Sequence, residues 1–498
     1  MRLSFRRGIS ALVAVVGTVV LAAAPVPAGV ARADGHRSHG RVQDGAGLVH
    51  QEVSFRGGDG LVLHGTVLST ATAQRAPARP GIVLIGGSGP GPREEYRQEA
   101  EAFARAGITT LVYDKRTVRY SRLDRDFGLL AADAVAGVRL LRGRPGVDPH
   151  HVGLWGFSEG GWVAPLAAAR SSDVGFVITI GGPGHSPLRT QTWNLTTHLR
   201  HRGITGSFLP ALEGPAAQLV ASTGLFPEGD FDPLPALRRL RHTPVLALWG
   251  DHDRQVPPRE SAQIFRRTLA GAGNRHVVVR FLRDAAHNGH RTSDGFDRIA
   301  GPLYQGKRLG ALAPGYVHTL TSWVAAVAAG HPPRSSTASA PPQPVSSAPA
   351  AGAWYAWLPP VLLLLGFAAY PVSGALRRIA RRPRPGPARG AALRRWLAGL
   401  GLVAVTTAVL CPLAVYVVGD GGAAGPVVAG RPSGWLVAQA LSVSVVVLTG
   451  VTVRRRRNGQ RTPAGSRPHV RPGVARATLM VTAVLFVPWA LWWGTLRP

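Results

Sequence analysis

The sequence predicts an α/β domain built on a mostly parallel sheet and followed by a bundle of four transmembrane helices. Three observations predict it. Between about residues 51 and 330, short apolar runs rich in β-branched residues alternate with amphipathic stretches. Four apolar segments follow, each long enough to cross a hydrocarbon layer of roughly 30 Å. Arginines crowd into two of the loops between those segments.

The chain has 498 residues, too many for one ordinary domain, with 57 Lys and Arg against 26 Asp and Glu. A net charge of +31 first suggests a nucleic-acid partner. The distribution argues otherwise, because residues 377–395 and 454–476 each hold eight arginines and no acid, whereas 34–330 carries 34 basic and 25 acidic residues. Basic loops between apolar spans are what retains a loop on the cytoplasmic side, so the charge reads as topology. The expected partners are membrane lipid and a small-molecule or lipid-like substrate, with no nucleic acid. A single cysteine, Cys411, excludes an intrachain disulfide and a cysteine metal cluster.

Residues 1–33 combine a basic start, an apolar stretch from Ile9 to Ala24 and Ala31-Arg32-Ala33, which reads as an export signal or an uncleaved anchor helix. Either places the following domain outside the cytoplasm. After a short N-terminal segment, 34–50, EVSFRGGDGLVLHGTVL reads as two antiparallel strands joined at Gly57-Gly58-Asp59-Gly60. Strands are then expected at 82–85, 109–114, 152–155, 174–180, 245–250 and 277–282, with helices at 94–106, 131–142, 159–170 and 259–271. Continuous apolar strands separated by helices indicate a parallel sheet covered on both faces. The 64 residues between the strands at 174–180 and 245–250 exceed one crossover, so 182–243 reads as a mainly helical cap. Residues 331–353, rich in Pro, Ser and Ala, read as a tether.

The spans are expected near 354–376, 396–418, 434–453 and 477–495, within a membrane region 354–498. The positive-inside rule puts both arginine-rich loops in the cytoplasm, and the tether and 419–433 outside. This makes the protein a multi-pass cell-membrane protein with an extracytoplasmic domain. Trp354, Trp357, Trp435, Trp489, Trp492 and Trp493 fall near span ends, as in an interfacial belt. No charged residue lies near a span centre, so nothing supports an ion pathway.

The sharpest local signal is Gly156-Phe157-Ser158-Glu159-Gly160, between the strand VGLW and a helical pattern. A serine at such an elbow is exposed above the sheet, and small residues flank it because the turn is tight. A serine hydroxyl needs a base oriented by a third group. VLALWGDHDRQVPP offers Asp251 and Asp253 at a strand end, and RFLRDAAHNGH offers His287 and His290. Donors for an oxyanion are expected from the backbone N–H of Glu159 and, in the loop Gly86-Gly87-Ser88-Gly89, from that of Ser88. A phosphate-binding loop there would need a Gly-Lys-Ser/Thr ending, which is missing.

Together these motifs resemble the α/β-hydrolase superfamily, especially its small esterases and its dienelactone-hydrolase-like and prolyl-oligopeptidase-like members. The resemblance covers about 51–330 and implies an eight-stranded, mostly parallel sheet. It also chooses between the candidates: the second Asp of GDHDRQVP stands where the family has its acid, and His287 matches the family's strand-loop-His ending. The implied triad is Ser158, Asp253 and His287, with Asp251 capping the turn and His290 a loop residue. Three departures stand out: Gly86-Gly87 replaces the usual His-Gly, DKRTVRYS lacks the glycines of the family pattern, and Glu159 puts a carboxylate beside the nucleophile.

The expected activity is a serine hydrolase of the carboxylesterase kind, working through an acyl-enzyme with neither metal nor organic cofactor. The resemblance also spans peptidases and amidases. Some 50 residues ahead of the domain leave no room for the propeller typical of prolyl-oligopeptidase relatives, which favours ester cleavage. A non-catalytic scaffold or receptor is the third reading, and the complete Ser, Asp, His order argues against it.

Overall fold

The computed structural model describes residues 41–43, 47–71, 78–121, 123–348, 355–380, 390–419, 421–460 and 473–498. The expected export signal lies outside the described residues.

Strands β1 (Leu48–Arg56) and β2 (Val62–Thr70) form the expected antiparallel pair. Strands β3 (Arg79–Ile85), β4 (Thr109–Tyr113), β5 (Val147–Phe157), β6 (Val177–Ile180), β7 (Val245–Gly250) and β8 (Val277–Leu282) run parallel to one another. Their order is β1-β2-β4-β3-β5-β6-β7-β8, with β2 antiparallel to β4. The sheet is wider than the eight strands expected. Arg41–Gln43 extends one edge, and Ser336–Thr337 pairs with Val278 and Val279 at the other.

Helices cover both faces, which is why the central strands are apolar throughout rather than alternating. Helices α1 (Arg97–Arg105) and α9 (Tyr316–Ala328) pack on one face. Helices α2 (Phe127–Arg142), α3 (Gly160–Arg170), α7 (Leu234–Arg239) and α8 (Pro258–Gly271) pack on the other. The C-terminal ends of β3, β5, β6, β7 and β8 lead into the loops that carry the site, as open parallel sheets dispose their ligands.

The cap is helical as expected: α4 (Pro187–His201), α5 (Phe208–Ala211), a π turn over Leu212–Ala216 and α6 (Ala217–Thr223). Helices α10 (Leu358–Ile379), α11 (Ala391–Val418), α12 (Ser433–Gln460) and α13 (Val474–Trp493) are each long and apolar enough to cross a membrane.

Cap and bundle share one apolar core. Leu195, Phe208 and Leu212 of the cap join Phe367, Tyr416, Trp435 and Trp493 of the bundle in it. Polar ties reinforce the contact: Tyr416 donates to the Leu212 carbonyl at 2.9 Å, Trp435 Nε1 to Ser207 Oγ at 3.1 Å, and Thr205 N–H to the Gly430 carbonyl at 2.7 Å. Trp435 and Trp493 are therefore buried against protein, not set in the interfacial belt that their positions suggested. The cap docks at the tether end of the bundle, opposite the ends that lead into residues 377–395 and 454–476.

The described part of the tether, residues 331–348, is a strap laid on the domain. Ser335 N–H donates to the Arg275 carbonyl, Trp193 Nε1 to the Val345 carbonyl, and Ser347 is buried against Glu260 and Arg189. A Pro/Ser/Ala segment has little apolar surface to bury, yet its backbone and hydroxyls can satisfy the polar groups of a sheet edge.

Candidate active site

Ser158 stands between the end of β5 and the start of α3 with φ +52°, a left-handed conformation that a serine adopts at a cost of about 1–3 kcal/mol. The flanking glycines explain themselves sterically. A Cβ on Gly156 would lie 2.1 Å from the Gly160 carbonyl oxygen, and one on Gly160 would lie 2.5 Å from that of Ile85. Ser158 N–H donates to the Ile180 carbonyl at 2.9 Å, which fastens the elbow to the end of β6.

Asp253 is the buried acid. Its Oδ1 accepts from Gln255 N–H and Val256 N–H, both at 2.9 Å, and its Oδ2 lies 2.9 Å from His287 Nδ1. Asp251 is only half-buried and accepts from Ala285 N–H at 3.2 Å, the turn-capping role expected of it. The Asp253 carboxylate fixes the tautomer of His287 with the proton on Nδ1, leaving Nε2 as the basic nitrogen. That Nε2 is buried and has no hydrogen-bond partner among the described residues. The ring lies over the strand ends beside the elbow: its centroid is 5.0 Å from that of Phe157, and a Cβ on Gly181, one residue after Ile180, would sit 2.6 Å from its Cε1.

His290 is more than a loop residue. It is buried, with Nε2 2.7 Å from Glu99 Oε1 and Nδ1 2.7 Å from the Leu309 carbonyl oxygen. Both neighbours are hydrogen-bond acceptors, a setting that favours the doubly protonated ring. Burial opposes that charge, but the Glu99 charge and hydrogen bond outweigh it and raise the pKa above the usual histidine value. A cavity of about 260 Å³ lies beside His287, lined among others by Phe157, Glu99, His290, His198 and Phe296. His198 and His201 belong to the cap and pack against the Phe296 ring.

The two expected oxyanion donors face different constraints. Among the described residues, neither Ser88 N–H nor Glu159 N–H has an intramolecular partner. Glu159 begins α3, where free N–H groups and the helix dipole favour negative charge. Ser88 sits in a loop held from several sides: Gly87 N–H donates to Tyr96 OH at 2.8 Å and Gly89 N–H to Tyr120 OH at 3.0 Å. Burial pushes both phenols above their usual pKa, so they remain neutral acceptors. Sequence reasoning missed Tyr96, Lys115, Tyr120 and Arg125, all of which contact this loop or Glu159. The only signal was the departure of DKRTVRYS from the glycine-rich pattern.

Residues 128–301 match the model of the prolyl oligopeptidase family. The chain is 34% identical over 134 residues to a thiohydrolase of Arthrinium phaeospermum, which is 26% of this chain and 42% of that protein. It is 31% identical over 135 residues to a polyketide transferase of Stachybotrys chlorohalonatus, 26% of this chain and 44% of that protein. It thus spans less than half the length of these curated relatives. Among solved structures, the dienelactone hydrolase of Anabaena variabilis is 18% identical, with 58% of this chain and 100% of that one covered and a TM-score of 0.33. The strand order and the strained serine elbow give the chain the α/β-hydrolase fold, with residues 128–301 similar to the prolyl oligopeptidase family and four apolar helices after the domain.

Proposed function

We propose that the protein is an exported, membrane-tethered serine hydrolase that cleaves carboxylic esters through an acyl-enzyme. One observation carries the reading: His287 has Nδ1 occupied by buried Asp253 and Nε2 unpartnered among the described residues, and its ring packs against Phe157, the residue before the serine of the strained elbow. In this reading the Ser158 hydroxyl attacks the ester carbonyl while His287 Nε2 takes its proton. The tetrahedral oxyanion is received by the N–H groups of Ser88 and Glu159. Collapse expels the alcohol, which takes the proton back from His287, and leaves the acyl group on Ser158. Water, deprotonated by the same nitrogen, then releases the acid and restores the serine. Asp253 holds and stabilises the imidazolium in both halves.

The test uses the full chain in detergent. A fluorophosphonate probe should label it, Ser158→Ala should abolish labelling, and short p-nitrophenyl esters should be turned over only by the unmutated protein. Labelling and turnover that persist in Ser158→Ala would remove the reading.

An amide-cleaving alternative is favoured by the family match over 128–301. Peptide or anilide substrates with a higher kcat/KM than the corresponding esters would put it first. Docking of the cap at the bundle end opposite the arginine-rich loops supports an extracytoplasmic hydrolase domain. Protease added to intact cells should then cleave the hydrolase domain; protection until the cells are lysed would reverse the sidedness.

A further inference from the structure

A carboxylate next to the nucleophile is a liability, because an oxyanion develops within a few ångströms of it and like charges repel. Glu159 is nevertheless almost wholly buried there, at 1% exposure. Burial of an ion pair is weak grounds for a stabilising role, since the desolvation cost commonly offsets the Coulombic gain. The contacts of this carboxylate point elsewhere.

Oε1 of Glu159 accepts from Lys115 Nζ at 2.9 Å and from Tyr120 OH at 2.7 Å, while Oε2 lies 3.2 Å from Arg125 Nη1. Each of those three groups also holds a different residue of the oxyanion loop. Lys115 Nζ donates to the Gly87 carbonyl, Arg125 Nη2 to Ser88 Oγ at 3.3 Å, and Tyr120 OH accepts from Gly89 N–H at 3.0 Å. Three consecutive loop residues are thus tied, by three side chains, to one carboxylate. That carboxylate belongs to the residue whose own N–H is the second oxyanion donor. Two cations against one anion leave the cluster with net positive charge, which offsets the repulsion that Glu159 would otherwise exert.

We infer that Glu159 is a positioning residue: acting through Lys115, Tyr120 and Arg125, its side chain clamps loop 86–89 to the N-terminus of α3 and fixes the distance between the N–H groups of Ser88 and Glu159. The inference deepens the serine-hydrolase reading and rests on it. It also accounts for DKRTVRYS, in which Tyr120 supplies a hydroxyl to the clamp.

The clamp predicts coupling. Glu159→Gln keeps the shape but loses the ionic ties, and Lys115→Met removes one arm. In the full chain, assayed where each variant stays folded, each should lower kcat for a p-nitrophenyl ester by about 10- to 100-fold with KM within about twofold, although loss of a buried ionic partner also lowers Tm. The double variant should lose little more than one single variant, because both break the same unit. Affinity for a trifluoromethyl ketone, whose adduct carries an oxyanion, should fall in step with kcat/KM. An unchanged kcat would overturn the inference, and so would a kcat loss that disappears when each variant is assayed well below its own Tm. If Glu159→Gln fails to fold, Tyr120→Phe carries the test, since it removes only the hydroxyl ties and should cost about tenfold in kcat at unaltered KM. Full activity of Tyr120→Phe would then sink the clamp. Persistence of ester turnover in Ser158→Ala is a separate failure, that of the underlying reading.

Discussion

The carboxylate of Glu99, on the helix that covers one face of the sheet, forms a buried ion pair with His290, three residues beyond His287. The pair fastens the long loop after β8, and with it the segment carrying the candidate base, to α1. The folded pKa of His290 is raised, so its contribution to stability is complete below the unfolded value near 6.5 and is lost as pH rises through the higher folded value. Arg298, which also faces the ring, lowers that upper limit. Thermal unfolding of the full chain should show Tm falling as pH rises above about 6.5. In Glu99→Gln this fall should disappear, with Tm already low at about pH 6. A wild-type Tm that stays flat as pH rises above about 6.5 would contradict the assignment.

Arg116 makes the second buried junction. It donates to Asp133 at 2.6 and 2.7 Å and to Asp59 at 2.9 and 3.0 Å, while Asp133 also accepts from Gly58 N–H. The guanidinium thus ties the β1–β2 turn to α2. Arg116→Met leaves the buried Asp133 carboxylate without its cation, a change that costs about 3–5 kcal/mol and should lower Tm by roughly 6–12 °C. Asp133→Asn should be milder, because the remaining amide still accepts a hydrogen bond and no anion is stranded. Equal effects of the two variants would show that the charge is immaterial.

What was legible in the sequence was whatever is encoded locally. Strand positions followed from apolar runs and the elbow around Ser158 from a short motif, because a tight turn constrains its immediate neighbours, whereas the choice of Asp253 over Asp251 and of His287 over His290 came from the family resemblance. Glu99 and His290 are 191 residues apart, and nothing in either local pattern announces the pair. Lys115, Tyr120 and Arg125 were hidden for a similar reason: their meeting point is a carboxylate supplied by another strand-helix unit. The hydrogen bonds of the strap were hidden too, because composition reports what a segment cannot bury and those bonds depend on a partner surface. The tryptophans misled in the same way, since nearness to a span end is shared by a side chain facing lipid and one facing a docked domain.

The shared core of cap and bundle gives the four helices a structural task in holding the cap. Trp435→Phe keeps one aromatic ring but removes the bond to Ser207 and leaves a small cavity, and should cost about 2 kcal/mol. Trp493→Ala empties a fully buried site in the same core and should cost about 3–5 kcal/mol. Limited proteolysis of the full chain in detergent should then cut within residues 202–230 faster in Trp493→Ala than in Trp435→Phe, and faster in both than in wild type. If cap cleavage is the same in all three, the cap holds its shape without the bundle.

Gly160 tests how closely the elbow must fit against the neighbouring strand. Its added Cβ would lie 2.5 Å from the Ile85 carbonyl oxygen and 3.2 Å from its carbon, and backbone at that distance cannot rotate away as a side chain could. Gly160→Ala must therefore displace the start of α3 from the end of β3, moving Ser158 and Glu159 N–H away from the loop that begins at Gly86. Misplacement by about 1 Å is enough to cost about 100-fold in rate, so kcat for an ester should fall by at least that factor. Gly214→Ala in the cap is the matched control, because its Cβ meets nothing within 4 Å and alanine is the better helix former. It should retain full activity with an equal or slightly higher Tm. Near-normal turnover in Gly160→Ala would mean that the contact between α3 and β3 does not set the geometry of the reacting groups.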